Sequence, residues 1–124
     1  MKKALIILGH GSKAPEATET LAAVTGMVER MVDYDRVAFA SLQISKPGLG
    51  EVVEELRTEG FEKIMVIPFL IAVGQHVKED IPDELKALRE KYPGLELYLG
   101  APLGADQRLA EIVSDRVREL ERSL

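Results

Sequence analysis

Two histidines and no cysteine make up the chain's whole stock of imidazole and thiol, and both histidines stand close to glycines. His10 lies in "LIILGHGSKA" and His76 in "FLIAVGQHVKEDIP". A neutral imidazole, with a reference pKa of ~6.5, accepts a proton near neutral pH. It is also a good nitrogen ligand for divalent transition metals. The lack of cysteine removes disulfides, thiolate metal sites, iron–sulfur clusters and a cysteine nucleophile. Any metal the chain holds must therefore use His, Asp, Glu or backbone oxygen.

These two histidines need elements that bring them together, and the hydrophobic pattern supplies them. "KALIIL", "RVAFASLQI", "KIMVIPFLI" and "LELYLG" read as four apolar strands, each followed by a stretch of helical period. Ala17, Leu21, Val24, Val28 and Met31 would line the first helix, and "GLGEVVEELRTEG" forms a second that stops at Gly60. Ile81, Leu85, Leu88 and Tyr92 mark a third, and Leu109, Ile112, Val113, Val117 and Leu120 a fourth. Four strand–helix units predict an α/β fold: an open parallel four-stranded sheet, order 2-1-3-4, with helices on both faces. Pro68 removes a ladder donor from the third strand, so a bulge or the strand's end is expected there.

Ligands of open parallel sheets bind beyond the carboxyl ends of the strands, where the connections change direction. In this order the switch falls between strands one and three. His10 follows the first and His76 the third, so the topology brings both to one crevice. Lys13, Lys46 and Lys78 also follow strand ends and would make the rim positive, which suits a substrate bearing several carboxylates. Glu79, Asp80, Asp83 and Glu84 dilute that effect; acids in the opening of a helix favour its dipole, and one or two of them could assist a metal.

Two rival readings of "GHGSKA" carry less. It fits G-x-G-x-x-A after a strand, the dinucleotide fingerprint, but the second strand ends in Gln43-Ile44-Ser45 without the acid that holds a ribose hydroxyl. The His-Gly pair is similar to that of the histidine phosphatases, yet Gly9 stands where their phosphate-holding arginine should be.

The rest of the composition bounds the class. The 124 residues suit one domain spanning 1–124, and a net charge of −5 argues against nucleic acid as a partner. "IMVIPFLIAV" is too short to span a membrane, and "MKKALIIL" lacks a cleavage site, so a cytoplasmic protein with no membrane partner is expected.

"LIILGHGSKAPEA", "IMVIPFLIAVGQHVKEDIP" and "LGADQRLAEIVSDRV" together resemble the small archaeal form of the sirohydrochlorin chelatase family, along the length of the chain. The middle motif is the most specific of the three. The resemblance implies a chelatase-like fold and ATP-independent insertion of Co(II), or Ni(II), into the anionic tetrapyrrole sirohydrochlorin, for cobalamin or coenzyme F430 synthesis. It implies no cofactor beyond that substrate metal, and a homodimer, because larger relatives carry two such domains. It also implies that His10 is a metal ligand and proton acceptor and His76 a second metal ligand. Lys46 and the loop Ile71, Ala72, Val73, Gly74 and Gln75 would contact the macrocycle. One departure stands out: Gln43 occupies the end of the second strand, where many relatives have glutamate, and an amide can neither ionise nor take a proton. A non-catalytic tetrapyrrole or metal carrier using the same pocket is the alternative.

Overall fold

Continuous apolar runs bounded by glycine and charge become the strands, and all of them are parallel. The computed structural model describes residues 2–124. In chain order the elements are β1 (Lys3–Gly9), α1 (Pro15–Glu29), β2 (Arg36–Ser41), α2 (Leu49–Thr58), β3 (Lys63–Pro68), α3 (Gln75–Lys91), β4 (Glu96–Leu99) and α4 (Gln107–Arg122). The sheet order is β2-β1-β3-β4, as the strand–helix alternation predicts. β1 is central and buried from Ala4 to Gly9, which is why its sequence shows no alternation. It pairs with β2 from Ala4 opposite Arg36 and with β3 from Lys3 opposite Lys63.

The sheet's two faces are covered unequally. Ala4, Ile6 and Leu8 point to one face with Ile64 and Val66, and there they meet Leu49, Val52, Val53 and Leu56 of α2 and Ile81, Leu85 and Leu88 of α3. Leu5, Ile7 and Val37 point to the other face, where Leu21 of α1 covers them and Val28, Phe39, Met65 and Ile67 pack at the margin. Arg89 ties α3 to the sheet edge by donating from Nε and Nη2 to the Leu97 carbonyl at 3.2 and 2.8 Å.

Pro68 ends β3, the placement expected of a residue without a backbone donor. One helix departs from the face its spacing suggests, and another leaves its apolar face uncovered. In α1, Ala17 is exposed and Met31 lies beyond the helix, 81% exposed, while Thr25 is buried. Thr25 escapes the apolar pattern because its hydroxyl donates to the Leu21 carbonyl at 2.7 Å, which satisfies it inside the helix. In α4 the apolar row forms as spaced, yet no residue of that helix is buried: Ile112, Val113, Val117 and Leu120 are 47%, 63%, 49% and 62% exposed. Tyr98 and Leu99 on β4 are also substantially exposed. Among the described residues, no helix is long and apolar enough to cross a membrane.

Candidate functional site

The carboxyl ends of β1, β2 and β3 are drawn together by backbone bonds that continue past the strands. Leu42 N–H donates to Gly9 O at 2.8 Å and Gln43 N–H to His10 O at 3.2 Å, so the turn after β1 is fastened to the chain leaving β2. On the other side Phe69 N–H donates to Leu8 O at 2.7 Å. Gly11 has φ +104°, and a Cβ there would stand 2.8 Å from the Gln43 carbonyl carbon and closer still to its oxygen. Glycine at this position is thus required both by the backbone angle and by the contact. The turn that carries His10 is defined by that approach.

His10 is exposed at the top of β1 and separates two cavities. The one towards α3, of about 450 Å³, is lined by His10 and His76 together with Leu42, Gln43, Leu70, Ala72, Gly74, Gln75, Val77 and Asp80. His76 stands in the first turn of α3, whose N-cap is Gly74, and Asp80 follows one helical turn later on the same side. Gln75 reaches along the helix and donates from Nε2 to Glu79 at 2.8 Å. The second cavity, also about 450 Å³, opens towards α1 and is lined by His10, Ser12, Thr18, Thr20, Ser41 and Ser45 over a floor of Leu21 and Phe69, with Glu16 also in its lining.

The crevice therefore gathers His10, His76, Ala72, Gly74 and Gln75 from the residues singled out in the sequence. Lys46 and Val73 stand outside the lining of that cavity. Ile71, 64% exposed, lines a separate groove with Gly104, Leu109, Ala110 and Val113 at the start of α4. Among the described residues, no three His, Asp or Glu side chains cluster closely enough to hold a metal ion. The chain's own donors facing the cavity are thus two imidazoles, one carboxylate and two amides.

Two features lay outside the sequence reading. The hydroxyls of Ser12, Ser41 and Ser45 converge only because β2 returns beside β1, and serine carries no periodic signal. Ile44 takes φ +65°, uncommon for a β-branched residue, and is 61% exposed. Ser45 N–H donates back to Gln43 O at 2.8 Å across it, closing a three-residue turn. The only hint of that turn was an isoleucine standing between glutamine and serine in a polar connection. Further along α3, burial, with a smaller contribution from the Asp80 charge, pushes the Glu84 carboxyl above its ordinary value.

Comparison with known proteins places this geometry. Residues 4–120 match the CbiX family model. A sirohydrochlorin cobaltochelatase of Sulfurisphaera tokodaii is 32% identical over 119 residues, covering 96% of this chain and 94% of the relative. The crystal structure of a CbiX protein from Marinobacter aquaeolei VT8 superposes with a TM-score of 0.82 at 28% identity, over 97% of this chain and 98% of the other. The sirohydrochlorin chelatase SirB from Bacillus subtilis subspecies spizizenii, solved in complex with cobalt, gives a TM-score of 0.88 at 28% identity, over 96% of this chain but 51% of SirB. With the parallel 2-1-3-4 sheet and a family match across nearly the whole sequence, the chain belongs to the CbiX family.

Proposed function

We propose that residues 1–124 act as one chelatase-like domain that inserts Co(II) into sirohydrochlorin without ATP. The observation that carries the reading is that both histidines of the chain, brought from different strands, line one cavity at the switch point of the sheet. His10 and His76 are the metal ligands in this reading. Water would complete the coordination sphere at first and ring nitrogens would replace it, which suits an ion that must be handed on. Insertion exchanges one divalent ion for two pyrrole N–H protons; His10 accepts one of them and solvent water takes the other. Ala72, Gly74 and Gln75 offer the ring a wall with little charge. The same donors accept Ni(II), because imidazole affinity rises from cobalt to nickel, so ion choice would follow supply as well as the site. The product would then enter cobalamin or coenzyme F430 synthesis.

The working form in this proposal is a homodimer. Its support is the apolar row of α4, unpacked within its own chain, together with the exposed Tyr98 and Leu99 on β4. SirB is about twice as long as this chain and so has room for a second domain of similar size. Val117→Glu is expected to give monomers in sedimentation, whereas a native chain that sediments as a monomer with full turnover would remove the dimer.

Anaerobic absorbance of sirohydrochlorin with limiting protein and excess Co(II) tests the activity. Multiple turnovers above the spontaneous rate, lost in His10→Ala and in His76→Ala, are the expected result. Stoichiometric binding of the ring without turnover would overturn it in favour of a carrier.

A further inference from the structure

The cavity on the α1 side of His10 is not lined by His76, and it contains a polar device that is incomplete within the chain. Ser12 N–H donates to Ser45 Oγ at 3.0 Å, and Ser45 Oγ shares a hydrogen bond with Ser41 Oγ at 3.1 Å. These three groups supply three protons, of which two are used by the bonds between them. Among the described residues, the remaining hydroxyl proton has no acceptor. Ser41 is 3% exposed and fixed at the end of β2, where its N–H donates to Pro47 O at 2.8 Å, and its side chain lines the cavity. A relay of hydroxyls polarised in one direction ends in a donor sharper than an isolated serine.

We propose that this cavity is a subsite for carboxylate arms of the tetrapyrrole, received by the Ser41–Ser45 relay. The inference rests on the ring-binding reading above and adds where the edge of the ring lies. Sirohydrochlorin carries eight carboxylates around its rim, and a ring held on the His76 side of His10 must place some of them beyond that imidazole. The cavity there has about 450 Å³, an apolar floor of Leu21 and Phe69 for the methylenes of an arm, and hydroxyls for its end. The amino-terminal end of α1 borders it and favours an anion; Ala14, the N-cap residue, makes no side-chain cap. Glu16 is the one acidic side chain in the lining and opposes the arm's charge.

That opposition gives the test two directions. Metal-free sirohydrochlorin would be titrated into the native protein and into Ser41→Ala, Ala17→Phe and Glu16→Gln, with Co(II) affinity and circular dichroism measured on each. Ser41→Ala removes one hydroxyl with almost no change of shape and is expected to raise the ring Kd about tenfold. Ala17→Phe, on the exposed surface of α1, fills the cavity and is expected to weaken the ring further. Glu16→Gln is expected to tighten it several-fold, by relief of like charge. Co(II) affinity should stay native in Ser41→Ala and Ala17→Phe. Native ring affinity in folded Ser41→Ala and Ala17→Phe overturns the subsite, and so does weaker binding in Glu16→Gln. A native protein that binds the ring but never turns it over defeats the chelatase reading while leaving the subsite standing.

Discussion

Replacing Gly11 by alanine tests whether the site is built as described, because one methyl group would strike the joint between two strands. The added Cβ overlaps the Gln43 carbonyl, 2.8 Å from its carbon and 3.2 Å from the Gln43 nitrogen, so the segment after β2 must retreat by well over an ångström. That retreat breaks the Gln43 N–H bond to His10 O and disturbs the Ser45 N–H bond to Gln43 O. Each is worth about 0.5–1.5 kcal/mol, and holding an L-residue near φ +104° adds about 1–3 kcal/mol. A loss of about 3–5 kcal/mol follows, a large share of the ~5–15 kcal/mol that holds a domain of this size together. Urea unfolding measures it, with Co(II) titration of whatever remains folded; His10, released from Gln43, should bind the ion more weakly. Gly26→Ala is the control: it sits within α1, nothing lies within 4 Å of its added Cβ, and it should stabilise by about 0.5–1 kcal/mol. Gly11→Ala within 1 kcal/mol of native, with native Co(II) affinity, would refute the account of the turn.

Leu56→Ala empties a side chain that is fully buried between α2 and the sheet, and urea unfolding should show a loss of about 3–5 kcal/mol; a loss under 1 kcal/mol would mean that α2 is not the core helix described. Burial and then Asp80 raise the Glu84 carboxyl above 4.5, so the native state holds that proton more tightly than the unfolded chain does, and stability falls as pH rises through the raised value. Glu84→Gln should be more stable than native above that window and lose the advantage below the ordinary carboxylate range; an equal difference in urea melts at pH 4 and pH 7 would sink the argument. Gln43→Glu places an anion in the cavity that both histidines line, and at ~4 Å in a water-like dielectric a divalent ion gains ~2 kcal/mol, or about 30-fold in Co(II) affinity. Unchanged affinity by calorimetry would show that residue 43 does not face the ion.

The sheet was legible because its strands are short apolar runs and the connections between them are helical, and because parallel order obeys rules of handedness that need no side-chain detail. His10 and His76 were legible for the same reason: each follows a strand, and topology alone brings strand ends together. What topology does not fix is where a side chain lies within its loop. Ile71 and Gln75 are four residues apart, yet one faces the groove beside α4 and the other the cavity of the histidines. The hydroxyl relay was invisible for a related reason, since Ser12 and Ser45 meet across strands and leave no spacing to read. The α4 row forms where its spacing puts it, but what covers it was not legible. Helical periodicity reports that a face is apolar, and it says nothing of whether the surface covering that face belongs to the same chain.

A protein that delivers a metal must bind it less firmly than the acceptor does, and the composition of this cavity meets that demand. Two imidazoles on separate elements, one in the turn after β1 and one in the first turn of α3, can let go one at a time, whereas a closed set of four protein ligands would hold the ion against the ring. Gln43 lines the cavity without charge, and the acids of α3 lie along the helix rather than converging around one point. Pyrrole protons must also have somewhere to go, and an imidazole that has released the ion is free to accept one. In the proposed reaction the two roles of His10 would be successive states of a single nitrogen. Fixing that nitrogen matters more than surrounding it, which is why the turn that carries it is clamped by backbone bonds from Gln43 and by a glycine that admits no side chain.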